Sequence, residues 1–140
     1  MARLVTDVLD FLEAEGLVGG ASGWVRATDY LPPDPDKIIA VFPTPGLEPE
    51  LIKDGSAEQK YDDLGFQVRG RAEAHDWPAL EARMGQVFRA LHGSTLAPST
   101  GDPAYVLIRA VQSGPLPLGL DQGDRPGMSW NFVAIREREA

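Results

Sequence analysis

The sequence predicts an α+β domain: a four-stranded, mostly antiparallel sheet with two helices packed on one face, in the order helix, strand, strand, helix, strand, strand. Three observations predict it. Two stretches place apolar residues at helical spacing. Four others are β-branched runs or alternate strictly. Strands stand between the two helical stretches, so the helices must pack on a sheet more than on each other. Such a layer leaves sheet edges and one face to be covered by loops, charges or another subunit.

The first helix spans residues 2–15. Leu4, Val5, Val8, Leu9 and Leu12 share one face, while Arg3, Asp7, Asp10 and Glu13 lie elsewhere on the wheel. Gly16 is placed to stop it. Gly19 to Gly23 is a flexible connection, and Trp24 to Leu31 admits a short strand. Pro32, Pro33 and Pro35 then impose an extended approach to Lys37–Phe42 (KIIAVF), the best strand of the first half. Pro43, Pro45 and Gly46 end it. Residues 43–63 form a long link with a charged middle; a solvated loop is the plain reading, and ordering against a neighbouring subunit the sharper one.

From Leu64 to Ala72, Phe66 and Val68 face the core, with Gln67, Arg69 and Arg71 on the other side. Two arginines at this spacing in an acidic protein suggest surface ion pairs first and a subunit-pairing role second. Asp76 is a good N-cap, Pro78 suits a first turn, and Leu80, Met84, Val87, Phe88 and Leu91 make a clear stripe closed by Gly93. Residues 94–103 are turn-rich. Ala104 to Gln112 is a further strand, with Tyr105, Leu107 and Arg109 assigned to one face. Pro115, Pro117, Gly119, Gly123 and Gly127 make 113–127 a long extended crossing. Met128 to Arg136 then alternates, with Trp130 and Phe132 inward.

A chain of 140 residues suits one domain, here residues 1–140 with long loops at about 43–63 and 113–127. The absence of cysteine excludes disulfides, thiol nucleophiles and thiolate metal sites. No run approaches the roughly 18 apolar residues of a membrane span, and Asp7 and Asp10 do not suit a signal peptide, so a soluble protein is expected. The net charge of −8 argues against sequence-specific DNA binding, because counterion release rewards basic surfaces.

No motif points to catalysis. His75 and His92 flank the second helix, roughly 25 Å apart along its axis, so they make no metal pair; His92 is accounted for as a partner of the helix dipole. The serines lack a G-x-S-x-G setting, and no Walker or GxGxxG sequence occurs. Asp121, Asp124 and Arg125 read as a loop-closing ion pair before an acid/base cluster. No cofactor is expected.

The loop Pro117-Leu118-Gly119-x-Asp121-x-x-x-Arg125, followed by Asn131-Phe132 on a strand, resembles the C-terminal part of phage tail terminator proteins, a family also labelled minor capsid protein. The Pro-rich approach from Leu31 to Phe42 and the strand Phe66–Arg71 before a helix extend the resemblance over residues 4–136. Gln122 stands where the family often has an acidic residue. The resemblance implies a tail-terminator-like fold and a structural virion protein at the head-proximal end of the tail, present in host cytoplasm before assembly. It implies a homo-oligomeric ring, commonly of six, capping the tail tube, stopping its polymerisation and meeting the head-side connector. DNA would pass through the lumen without sequence-specific binding, and no membrane is involved. Under this reading Arg69, Arg71, Pro117, Leu118, Gly119, Asp121, Asp124 and Arg125 shape subunit or neighbour contacts. A head-completion (stopper) protein is the nearer alternative, and a small ligand-binding or enzymatic α+β domain the remoter one.

Overall fold

The computed structural model describes residues 2–45, 61–96 and 105–137. Its elements are α1 (Ala2–Ala14), a 3-10 turn (Gly20–Ser22), β1 (Val25–Thr28), β2 (Ile38–Thr44), β3 (Tyr61–Arg71), α2 (Trp77–Leu91), β4 (Tyr105–Ala110), β5 (Leu116–Leu120) and β6 (Pro126–Glu137). The sheet has six strands in the order β1-β2-β3-β6-β4, with β5 also on β6. The class is α+β as expected, but the four-stranded antiparallel sheet is corrected to a six-stranded mixed one. β1 runs parallel to β2, and the crossing at 113–127 contains a strand.

The two added strands have a common cause. β1 (VRAT) is only four residues, too short for its alternation to stand out, and β5 (LPLGL) carries a proline and a glycine, both poor strand formers. Each exists because a longer neighbour offers backbone partners. β3 lines the full length of β6, from Tyr61↔Glu137 to Arg71↔Gly127. On the opposite flank β4 pairs the second half of β6 and β5 the first. Gln112 fills the gap between them: its Oε1 accepts the Asn131 N–H at 3.0 Å, and its carbonyl accepts Trp130 Nε1–H at 3.2 Å.

Both helices cover the same face. The stripes of α1 and α2 merge with Ile39, Val41, Phe66, Val68, Trp130 and Phe132 into one core. Phe66 stacks on Phe132 at 5.2 Å, and Phe88 of α2 on Trp130 at 4.6 Å. Gly70 lies where the helix presses closest: a Cβ there would stand 2.8 Å from both Leu80 Cδ1 and Met84 Sδ. Gly16, at φ 76°, ends α1 in a Schellman arrangement, its N–H donating to Glu13 O while Leu17 N–H donates to Leu12 O. Asp76 caps α2 by accepting the Ala79 N–H at 3.2 Å.

Alternate residues of the strands face away from the helices. Gln67, Arg69 and Asn131 lie there, as assigned from the alternation, beside the buried Ile38, Ala40 and Val133. β4 departs from its assigned faces. A bulge between Tyr105 and Leu107 puts Tyr105 and Ile108 together in the core and leaves Leu107 on the helix-free side. Tyr105 is fully buried and donates its hydroxyl proton to Asp7 Oδ2 at 3.0 Å, tying β4 to α1. Of the expected link at 43–63, β2 takes residues to Thr44 and β3 those from Tyr61; 46–60 lie outside the described residues.

Candidate interface at the β5–β6 turn

The five residues between β5 and β6 form a turn organised by Asp121. Its Oδ1 accepts the N–H groups of Gly123 at 2.9 Å and Arg125 at 3.0 Å, and its Oδ2 accepts Arg125 Nε–H at 2.9 Å. Desolvation pushes the Asp121 carboxyl up, but those two amides and the guanidinium prevail and hold it below the usual carboxylate value. The loop-closing ion pair expected here is present, and it does more than close the loop. Arg125 Nη1 reaches across to Pro33 O at 2.6 Å and Asp36 Oδ1 at 3.3 Å, so the turn is locked to the proline-rich connection between β1 and β2.

Arg71 holds the same connection from below. It is only 4% exposed and donates Nη2–H to Pro35 O at 2.7 Å and Nε–H to Asp36 O at 3.2 Å. Burial, then the proximity of Arg125, lower its pKa, opposed by the surrounding aspartates. Arg71 thus bonds backbone carbonyls where a surface ion pair was expected. Arg69 bonds Gln67 Oε1 at 2.6 Å and lies over the Phe42 ring at 4.7 Å. Gln67 passes the chain on to Asn131 at 3.0 Å, so an uncharged amide ladder crosses the helix-free face.

Six of the eight residues singled out in the sequence meet around one groove of about 190 Å³: Arg69, Arg71, Leu118, Gly119, Asp121 and Arg125. Pro117 lies beside them in β5, opposite Met128. Asp124, at φ 59°, turns to the outer side, where its carboxylate stands 3.7 Å from His75 Nε2 and its carbonyl accepts the His75 N–H at 2.9 Å. Sequence reasoning missed Leu31 and Leu120, which complete the apolar wall, and the carbonyls of Pro33 and Pro35. The extended Leu31–Phe42 approach was the available signal, since a run that satisfies few of its own carbonyls must find donors elsewhere.

The groove is smaller than the roughly 300–1,000 Å³ of small-molecule sites. Its apolar walls are leucine and glycine, and its arginines are already committed to carbonyls, carboxylates or an amide. No group of three or more potential metal ligands occurs among the described residues, and no described helix is long and apolar enough to cross a membrane. His92, expected to serve the helix dipole, instead accepts the Ala110 N–H on Nδ1 at 3.0 Å and stacks on Phe88. What the molecule organises is a surface: a braced turn beside a sheet edge. The fold that carries it is an α+β domain with two helices on one face of a mixed sheet.

The sequence matches the family model of the bacteriophage tail terminator protein over residues 11–138, and the chain belongs to that family. It is therefore a structural protein of the phage tail and a virion component. Among solved structures, a chain in the virion of a native gene transfer agent particle is similar, with a TM-score of 0.67 and 18% identity over 97% of this chain and 96% of that one. At that identity the likeness is one of fold. Among curated proteins, none matches the sequence.

Proposed function

We propose that this protein is the terminator of a phage tail: copies of it close into a ring, most simply of six, that caps the tail tube, stops its growth and offers the head-side connector a surface to join. Family membership over residues 11–138 carries the reading. The structure supports it by what it invests in. Arg71, Asp121 and Arg125 spend their hydrogen bonds on holding a turn and a loop in fixed relation, which serves rigid contact surfaces and no reaction. Leu118 and Gly119 beside that turn, with Pro117, present it to a neighbour; Arg69 and Asp124 flank it. DNA passes through the ring without base-specific contact, and the protein is not an enzyme.

The test is electron microscopy of particles assembled without this protein and with its Arg125→Ala form. Tails of uncontrolled length in its absence are the expected result, with the ring located at the head-proximal end of normal tails. Tails of normal length beside full but unjoined heads would assign the protein to head completion instead. If Arg125→Ala leaves ring formation and tube attachment intact, the turn has no role in contact.

A further inference from the structure

The large hydrophobic side chains left exposed among the described residues are absent from both helices and gather at the two opposite borders of the sheet. One group, Val25 and Tyr30, belongs to β1 and the residue pair just beyond it. The other, Val106, Leu107, Val111, Leu116, Leu118 and Leu120, belongs to β4, β5 and their junction. Scattered single exposures need no explanation, but a grouping confined to two strand borders does.

The backbone treats the two strands of the far border differently. β4 is closed on its outer side by the segment after α2: Gly93 N–H donates to Ile108 O, Ile108 N–H to Ser94 O, and Leu96 pairs with Tyr105 in both directions. His92 takes the Ala110 N–H as well. β5 has no such cover among the described residues; β6 is its strand partner on one side, and its leucines are 51%, 49% and 45% exposed. Nor does it carry a lysine, glutamate or inward charge of the kind that blunts an edge. At the other end of the sheet β1, among the described residues, has β2 on one side only, and its one charge, Arg26, is drawn to the helix side by Asp10 and Glu13 at 2.9 and 3.4 Å. Val25, paired with Ile38, faces the helix-free side, as does Leu116, paired with Ser129.

From these features we infer that β5 of one copy docks along β1 of the next, joining their sheets with Leu116, Leu118 and Leu120 covering Val25. The occupant is a second copy because one chain supplies both halves. The borders are unlike, of four and five residues, uncharged on the contact side and at opposite ends of one sheet, as a head-to-tail contact that closes a ring requires. β5 is short and contains Pro117, so leucine burial carries more of the contact than backbone bonding. This inference rests on the ring-forming function proposed above and adds the surfaces through which the ring closes.

The chain has no cysteine, which makes the test direct. Within one copy β1 and β5 are four strand spacings apart, roughly 19 Å, beyond the reach of a disulfide. Val25→Cys and Leu118→Cys proteins, each at an exposed position, are mixed with tail tubes present and mildly oxidised. Covalent dimers in the mixture but in neither variant alone are expected, and the Val25→Cys/Leu118→Cys double variant should give a ladder ending at the ring number. Dimers from Leu118→Cys alone would mean β5 meets β5, and overturn the proposal. A wild-type ring with no cross-link in the mixture would overturn the edge pairing while leaving the terminator function standing. Failure of the wild type to form a ring in solution or on tubes would remove both. Leu116→Lys/Leu118→Lys, with unchanged thermal unfolding, is expected to lose the ring; a ring that persists but no longer binds tubes would assign β5 to the tube protein.

Discussion

Replacing Arg71 tests whether the clamp on the proline-rich connection is structural. The guanidinium is buried and makes two charge-assisted hydrogen bonds, at 2.7 and 3.2 Å, to carbonyls of Pro35 and Asp36. Each such bond contributes about 1.5–3 kcal/mol net. Burial and Arg125 both disfavour the charge, and the carbonyls belong to an exposed segment that water can reach after the change. Both considerations pull the sum to its lower end. Arg71→Ala is therefore expected to cost about 3 kcal/mol, including the lost packing of the arginine stem over Ile38. In a domain of this size that is roughly 10 °C in Tm. Arg71→Lys keeps a point charge but not the fork, holds one carbonyl, and should cost about half as much. Urea denaturation followed by tryptophan fluorescence measures all three proteins. A loss below about 0.5 kcal/mol for Arg71→Ala, or equal losses for alanine and lysine, would refute the clamp, because the loop would then be held by something other than the paired donors.

Gly70→Ala introduces a Cβ at 2.8 Å from Leu80 and Met84, and should destabilise by about 1–3 kcal/mol in the same assay. Tyr105 is pushed up to about 12 by burial first and its bond to Asp7 second, so one tyrosine of three should ionise late in an ultraviolet titration. Because the folded value is the raised one, its stabilisation is complete below pH 10 and lost as pH climbs towards 12; Tyr105→Phe should flatten that loss. Asp121 has the opposite sign. Its depressed carboxyl favours the folded turn above pH 3.8 and ceases to as pH falls through its lower folded value. The protection of the Gly123 and Arg125 amides, taken relative to the unstructured exchange rate at each pH, should therefore fall on acidification below the usual carboxylate value, and Asp121→Asn should remove that acid step.

The helices were legible because their stripes repeat at 3.6 residues and their ends carry an N-cap aspartate and stop glycines. β2, β3 and β6 were legible from β-branched runs and alternation. β1 was legible only as a short strand admitted within Trp24–Leu31 and not counted in the sheet, and β5 not at all, because strand pairing depends on the neighbour's backbone more than on local preference. β4 was read as a strand but with the wrong faces, since a bulge leaves no mark in the pattern of residue types. At the candidate interface, Asp121 with Arg125 was visible as a spacing of four. The bond from Arg125 to Pro33 O spans 92 positions and joins a side chain to a carbonyl, a group every residue possesses. Nothing in residue identity marks which carbonyl will be chosen. The leucines of β5 stand plainly in the sequence, but their exposure appears only once β6 is seen to pair them from one side.

The side chain of Gln112 stands in for a missing stretch of ladder between β4 and β5, and this divides one flank of β6 into two mechanically separate leaves. β4 is clasped on both sides and buries Tyr105 and Ile108, whereas β5 is clasped on one side among the described residues, with its leucines in solvent. Local opening should therefore stop at the amide joint: β5 can peel from β6 and return while the core stays shut. Hydrogen exchange ought to report two protection levels along a single flank, with Leu116, Leu118 and Leu120 far faster than Ile108. Assembly would then proceed by a small ribbon finding its seat, with no need for the globule behind it to yield.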